Sequence, residues 1–321
     1  MSALHKKFPG VEVGGSSSMK SSNIGGQAVM EGVMMRNADK YAVAVRKTDG
    51  EIVVKTEEYK GIVQNKKIRS LPIIRGVFSF IDSMVLGMST LTYSASFFMD
   101  EEEEEKDEKK ESVMMGLTIA CSVVMAVAIF MILPYFLSQL FRKFTDSTTL
   151  ITLLEGAVRL VIFFGYILLI SRMKDIQRVF MYHGAEHKCI NCIEHGMELN
   201  VENVLKSSRL HKRCGTSFLF IVMIVSIIFF LFIRIESPIW RVVFRLLLIP
   251  VIAGVSFEFI RLAGKSENKL VILLSKPGMM LQKLTTREPD ASMAEVAIAS
   301  VEAVFDWRAY LKENFWWQEK V

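Results

Sequence analysis

"SVMMGLTIACSVVMAVAIFMILPYFLSQLF", residues 112–141, contains no charged side chain. A bilayer core of about 30 Å needs roughly 20 apolar residues in a helix, so this block reads as a membrane span. "GTSFLFIVMIVSIIFFLFI" (215–233) is equally uncharged and reads the same way. Two further blocks reach spanning length but carry charge. "STTLITLLEGAVRLVIFFGYILLIS" (147–171) holds Glu155 and Arg159, and "SPIWRVVFRLLLIPVIAGVSFEFI" (237–260) holds Arg241, Arg245 and Glu258. Each spans if those charges pair with one another or snorkel to an interface. These blocks account for a chain that is 51% hydrophobic over 321 residues, with a mean hydropathy of +0.33. A soluble chain lies nearer 45–50%.

"GVFSFIDSMVLGMSTLTYSASFFM" (76–99) has only Asp82 as a charge and is rich in Ser and Thr. Counting it as a fifth span would put residues 172–215 outside the cell with their eight basic side chains. Lys and Arg near helix ends favour the cytoplasm. The stretch is therefore read as an interfacial or packed helix. The same bias places both termini and the 172–215 loop in the cytoplasm. The start, "MSALHKKFPGVEVGGSSSMKSSN", has no apolar h-region and is not a signal peptide. A net charge of +5 spread over 36.4 kDa does not suggest a nucleic-acid partner.

The fold expected is mainly α, a polytopic membrane protein with about four transmembrane helices. A small N-terminal cytoplasmic β element and a C-terminal amphipathic helix complete it. "KYAVAVRKTDGEIVVKTEEY" (40–59) reads as a hairpin turning at Asp49-Gly50, and "IGGQAVMEGVMMR" (24–36) supplies another strand. "LVILLSKPGMMLQKLTT" (270–286) is an amphipathic segment broken at Pro277-Gly278. Beyond it, Ser292 and Glu295 have capping-box spacing, with Asp290 as the alternative cap. The aromatic end "FDWRAYLKENFWW" rests on the membrane, on the β element or in ordinary packing. The division is a disordered tail over 1–23, the β element over 24–70 and the helix over 71–99. An acidic linker follows over 100–112, and then spans over 113–171, the His/Cys loop over 172–215, spans over 216–260 and a helical region over 261–321.

"MYHGAEHKCINC" (181–192) and "HKRC" (211–214) concentrate metal-binding side chains. On a helix, His183 and His187 share a face with Glu186 beside them. Two imidazoles so placed can ligate Zn²⁺, and the carboxylate can act as general base on a water there. Cysteines in a reducing cytoplasm more often bind metal or do redox work than form stable disulfides. Two arrangements compete. In one, Cys189, Cys192, His211 and Cys214 make a closed structural site. In the other, His183 and His187 bind with His211 or Cys214, leaving a position open for water beside Glu186. A redox C-x-x-C pair lacks βαβ context, and Cys121 stands alone inside the first span. If the second span continues as one helix, His183 lies about 18 Å beyond Ser171, near the cytoplasmic membrane surface.

At "IGGQAVMEGVMMR", "MYHGAEHK" and "SRLHKRCGTSFLF" the chain resembles the YqhQ-like family of bacterial multi-pass membrane proteins, from about residue 24 to "LTTREPD" at 284–290. That family is carried as a domain of unknown function and labelled a predicted metal-dependent enzyme. The resemblance covers His183, Glu186, His187, His211, Arg213, Cys214 and Glu31. It leaves out Cys189 and His195 and includes Cys192 only loosely. It therefore implies a ligand set of His183, His187, His211 and Cys214, with Glu186 next to it. Four protein ligands close a site, so catalysis needs one of them to stand behind the others or to be displaceable. The first functional reading is a membrane-bound hydrolase using zinc or another divalent metal, with Glu186 as base. In that reading Lys188, Arg213 and Glu31 stand at the substrate. The second is a non-enzymatic scaffold whose metal pins the loop while a cytosolic or membrane protein partner docks on it, with the lipid bilayer as its setting in both.

Overall fold

A computed structural model of the chain describes residues 19–98, 108–233, 235, 237–265 and 268–315. The Val-rich N-terminal runs form four antiparallel strands in simple order: β1 (Gly25–Val29), β2 (Gly32–Asn37), β3 (Lys40–Arg46) and β4 (Ile52–Glu58). "IGGQAVMEGVMMR" thus supplies two strands rather than one, because the chain reverses at Met30-Glu31, where Glu31 takes a φ of 48°. The β3–β4 connection is five residues, Lys47–Glu51, and Gly50 has the positive φ of 90° read from the Asp-Gly pair. β2 is buried at four successive positions, which half-buried alternation does not give. The cause is a sheet covered on both faces. Val33, Met35, Ala42 and Ala44 face one core, whereas Val29, Met34, Tyr41, Val43 and Val45 face another.

Short α1 (Lys66–Ser70) leads to α2 (Ile74–Ala95), which carries the second face of the sheet through Leu86. From Asp82 its buried residues recur every four positions, at Leu86, Thr90 and Ser94, and each polar one has work against the sheet or its flank. Asp82 accepts from Tyr59 and from the Ile62 amide, Thr90 from Gln27, and Ser94 from the Met30 amide. At its other end Gly76 lies against the backbone of Gly254. The stretch expected as an interfacial or packed helix is thus helical over Ile74–Phe98, and by length and composition it also suffices to cross a membrane.

Of the acidic run, residues 99–107 lie outside the described residues, as do residues 1–18 of the tail. α3 (Glu108–Val127) passes through a π-helical segment, Ala128–Ile132, into α4 (Leu133–Gln139). α5 (Thr148–Ile170) packs against α4 and against α8 (Gly215–Leu231), and α9 (Pro238–Lys265) runs through Pro250 without a break. Among the described residues four helical stretches are long and apolar enough to cross a membrane: Ile74–Phe98, Gly116–Lys143, Thr148–Ile170 and Ile239–Gly264. The 215–233 block forms a helix of only 17 residues. That is about 26 Å, at the short limit for a span. The charges inside the bundle pair with each other. Arg159 and Arg245 both reach Glu155, at 2.8 and 2.9 Å, and Arg159 Nε donates to the Phe130 carbonyl of the π segment. Arg75 of α2 pairs with Glu258.

α6 (Lys174–Glu194) is a new helix rather than an extension of α5. The chain turns at Ser171–Met173, and Arg287 and Gln177 hold the Ser171 carbonyl there. α6, α7 (Val201–Lys206), α11 (Ala291–Val304) and α12 (Trp307–Phe315) share one core with the first sheet face. Trp307 and Leu311 are buried in it, so this part of the aromatic end rests on the sheet's own core. α10 (Lys269–Thr285) carries Pro277 inside an unbroken helix, and its Gly278 lies close against Ser217. Asp290, not Ser292, caps α11: its carboxylate accepts from the Met293 amide at 2.9 Å, while Glu295 pairs with Arg46. Asp290→Ala should lower stability by about 1 kcal/mol, and Ser292→Ala by less, in thermal unfolding of the detergent-solubilised chain.

Candidate metal centre

Two elements converge beside β1. α6 presents His183 and His187 one turn apart, with ring centroids separated by 4.4 Å. Cys214 arrives as the N-cap residue of α8, its Sγ accepting from the Thr216 amide. The ligand-bearing atoms of His183, His187 and Cys214 all lie within 4.8 Å of one another. His187 and Cys214 are buried and His183 is partly exposed.

The two rings are oriented alike. His183 Nδ1 donates to the Thr285 carbonyl at 2.9 Å, and His187 Nδ1 donates to the Arg209 carbonyl at 2.6 Å. A carbonyl can only accept, so each ring carries a proton on Nδ1 and turns its Nε2 inward, toward the thiol. An imidazole held from behind in this way is the usual arrangement of a metal ligand. Burial lowers the pKa of His187, keeping it in the neutral form that ligates. The donor set of two imidazoles and one thiol fits zinc, and three ligands leave a fourth position. The same contacts, with Cys214 Sγ 3.3 Å from His183 Nε2, also suit a thiol–imidazole pair sharing a proton.

Glu186 stands beside this cluster. Its Oε2 is 3.5 Å from His187 Nε2 and 3.9 Å from His183 Nε2. Burial raises its pKa, against the lowering pull of His183, His211 and the Gly26 amide. A raised carboxyl pKa is what a general base needs to accept and then return a proton near neutrality.

The backbone explains why "HGAEH" has its glycine. A Cβ at Gly184 would sit 2.0 Å from the Arg287 carbonyl oxygen, and Arg287 N donates to Phe180 O at 2.8 Å. Residues 285–289 therefore lie flush on α6, and that approach puts the Thr285 carbonyl behind His183.

Other expected site residues are placed elsewhere. His211 is not among the three converging ligands: its Nε2 is 3.3 Å from Glu194, and its ring centroid is 5.8 Å from that of His187. Arg213 pairs with Glu194 and donates to Ser21. Lys188 is buried and donates to the Leu205 and Ser207 carbonyls at 2.8 Å each, with Glu288 at 2.9 Å. Glu31 ties the β1–β2 turn to Arg178 and Tyr182. Cys189 and Cys192 point into the core shared with the sheet, which separates them from Cys214. Burial pushes Cys189 well up and Cys192 up to about 12, so both stay thiols. Cys121 is exposed on α3.

Glu194 is the polar residue that the motif reading passed over. It is fully buried and accepts from the Ser22 amide and hydroxyl at 2.7 and 2.8 Å, besides pairing with His211 and Arg213. Burial raises its pKa, but the His211 and Arg213 contacts outweigh that and hold it low. It stands seven residues after His187 and eleven after His183, spacings that return to the same helix face. That periodicity was the available signal.

The family model described as "Protein of unknown function (DUF1385)" matches residues 71–307. "Uncharacterized protein YqhQ" of Bacillus subtilis (strain 168) is 36% identical over 301 residues, covering 90% of this chain and 94% of that protein. No solved structure matches. The matched region holds all three converging ligands and Glu186, and the chain belongs to the DUF1385 family.

Proposed function

We propose that the chain is a multi-pass cell-membrane protein whose His183, His187 and Cys214 hold zinc at the cytoplasmic membrane surface, where Glu186 serves as the base of a hydrolase. The observation that carries this is the pair of Nδ1–carbonyl bonds, which aim two imidazoles at one thiol beside a buried carboxylate. A divalent metal there supplies Lewis acidity at the position the protein leaves open. Glu186 accepts a proton from the attacking water as the new O–C bond forms. It returns that proton to the leaving group as the acyl bond breaks.

The shared core supports the membrane arrangement. β2 and β3, which precede α2, pack with α6, which follows α5, and with α11, which follows α10. These segments therefore lie on one side of any bilayer, and the crossings between them must be even in number. With α3–α4 and α5 crossing as one pair and α8 and α9 as the other, α2 does not cross. The eight basic residues of 172–215 support the cytoplasm as that side.

A zinc-loaded detergent preparation should hydrolyse a small activated ester such as p-nitrophenyl acetate, and a chelator should abolish the turnover. Glu186→Gln should keep the metal and lose about 10²–10⁴-fold in rate. Equal rates for wild type and variant would end the hydrolase reading. One observation favours the scaffold alternative: Glu186, His187 and Cys214 are all buried, as in structural sites. That alternative predicts bound metal with no turnover in either protein and a protein partner on the cytoplasmic lobe.

A further inference from the structure

β1 is an edge strand, and the ladder fixes which of its backbone groups face outward. Arg46 N donates to Glu31 O, so Glu31–Arg46, Val33–Ala44 and Met35–Ala42 are the hydrogen-bonded pairs of β2 with β3. Alternation then gives Gly32–Val29, Met34–Gln27 and Arg36–Gly25 as the bonded pairs with β1. The N–H and C=O groups of Gly26, Ala28 and Met30 therefore point away from the sheet. One is occupied, since Met30 N donates to Ser94 Oγ of α2, and Gly26 lies close against the Glu186 side chain. Among the described residues no hydrogen bond reaches the Gly26 carbonyl or either backbone group of Ala28. Gly25 and Gly26 are exposed and Ala28 is partly so.

We propose that this edge takes an extended polypeptide segment as an added strand, making the substrate class of the site a peptide. The inference rests on the hydrolase reading of the metal centre. Acceptor, donor and acceptor follow one another along β1 at the spacing that a peptide strand satisfies, and small ligands offer no such repeat. α6 covers one face of the sheet beside this edge and α2 the other, so the open side lies between them. A segment paired there has its backbone next to the Gly26 amide, and through it next to Glu186 and the two imidazoles. In hydrolysis of such a segment, water adds across the amide C–N bond, with oxygen to the carbonyl carbon. The proton taken up by Glu186 goes to the leaving nitrogen.

Ala28→Pro tests the edge. It removes an N–H outside the β1–β2 ladder, a position where an edge strand tolerates proline. The probe is fluorescein-labelled casein, an unfolded polypeptide, read by anisotropy with the zinc-loaded full chain in detergent. Wild type should bind and cleave it. Ala28→Pro, with unchanged zinc content and unfolding temperature, should bind about tenfold or more weakly, as expected for one or two lost hydrogen bonds and a blocked approach. Glu186→Gln should bind like wild type without cleaving. Should Ala28→Pro lose its fold, the peptide can be altered instead. An extended Val-Thr peptide should displace casein, and the same peptide with alternate amides N-methylated should not. Undiminished binding by a folded Ala28→Pro, equal competition by both peptides, or no binding by wild type overturns the edge proposal. Small-ester turnover is read separately and needs no strand pairing. A failure of the hydrolase reading therefore shows there, and a failure of the edge shows only in casein.

Discussion

On the proposed zinc reading, Cys214→Ala should purify without metal. Elemental analysis of wild type purified with zinc present should give about one equivalent per chain, and the variant close to none. Among the described residues Cys214 contributes the one thiol clustered with the two imidazoles, and losing one of three protein ligands should exceed the roughly 10–100-fold cost of removing an outer partner. His187→Ala should behave alike. His211→Ala separates the structural reading from the four-ligand set implied by family resemblance. His211 already pairs with Glu194, so its removal should leave metal content near one equivalent while lowering the unfolding temperature. Loss of metal in His211→Ala equal to that in Cys214→Ala would restore His211 as a direct ligand. Retention of metal by Cys214→Ala would remove the site itself.

The sequence made the apolar blocks, the hairpin region and both halves of the site visible, because each depends on local periodicity or spacing. His183, Glu186 and His187 stand on one helix, so their spacing alone brings them together. What decided among Cys189, Cys192, His211 and Cys214 was not local. Cys189 and Cys192 are buried in the core that α6 shares with the sheet, and the Cys192 thiol donates to the Glu198 carbonyl; nothing in C-x-x-C spacing announces that core. Lys188 and Arg213 looked free to meet a substrate. Each is instead held by groups distant in the chain, Lys188 by the carbonyls ending α7 and Arg213 by Glu194. The carbonyls of Thr285 and Arg209 that orient the imidazoles are backbone atoms, which no residue pattern marks. The second helical cover of the sheet was similarly hidden. α2 is apolar enough to be read as lipid-facing, and its Asp82, Thr90 and Ser94 betray the sheet only once their partners are known.

Glu194→Ala should be the most destabilising single change in the lobe formed by the sheet, α6, α7, α11 and α12. The carboxylate is fully buried at the end of α6 and satisfies four groups from two other segments: the amide and hydroxyl of Ser22, the His211 ring and the Arg213 guanidinium. Removing one member of a buried charge network leaves the others desolvated and unpaired, at a cost of about 3–5 kcal/mol. For a domain of 150–250 residues that corresponds to a fall of roughly 6–20 °C in unfolding temperature. Glu194→Gln can still accept from Ser22 but leaves Arg213 without an opposing charge, so a smaller loss of about 1–3 kcal/mol is expected. The N-terminal strap should respond first. Lys20 N donates to Glu194 O, and Tyr310 donates to Lys20 O, so the backbone of that segment is tied at only a few points. Limited proteolysis within 19–24 should accelerate in Glu194→Ala before the rest of the lobe unfolds, and the strap leads directly into Gly25 and Gly26 above Glu186. Tryptophan-fluorescence melting together with mass-mapped cleavage reads both effects. An unfolding temperature within 2 °C of wild type, with unchanged cleavage of the strap, would mean that Ser22, His211 and Arg213 are satisfied without the carboxylate.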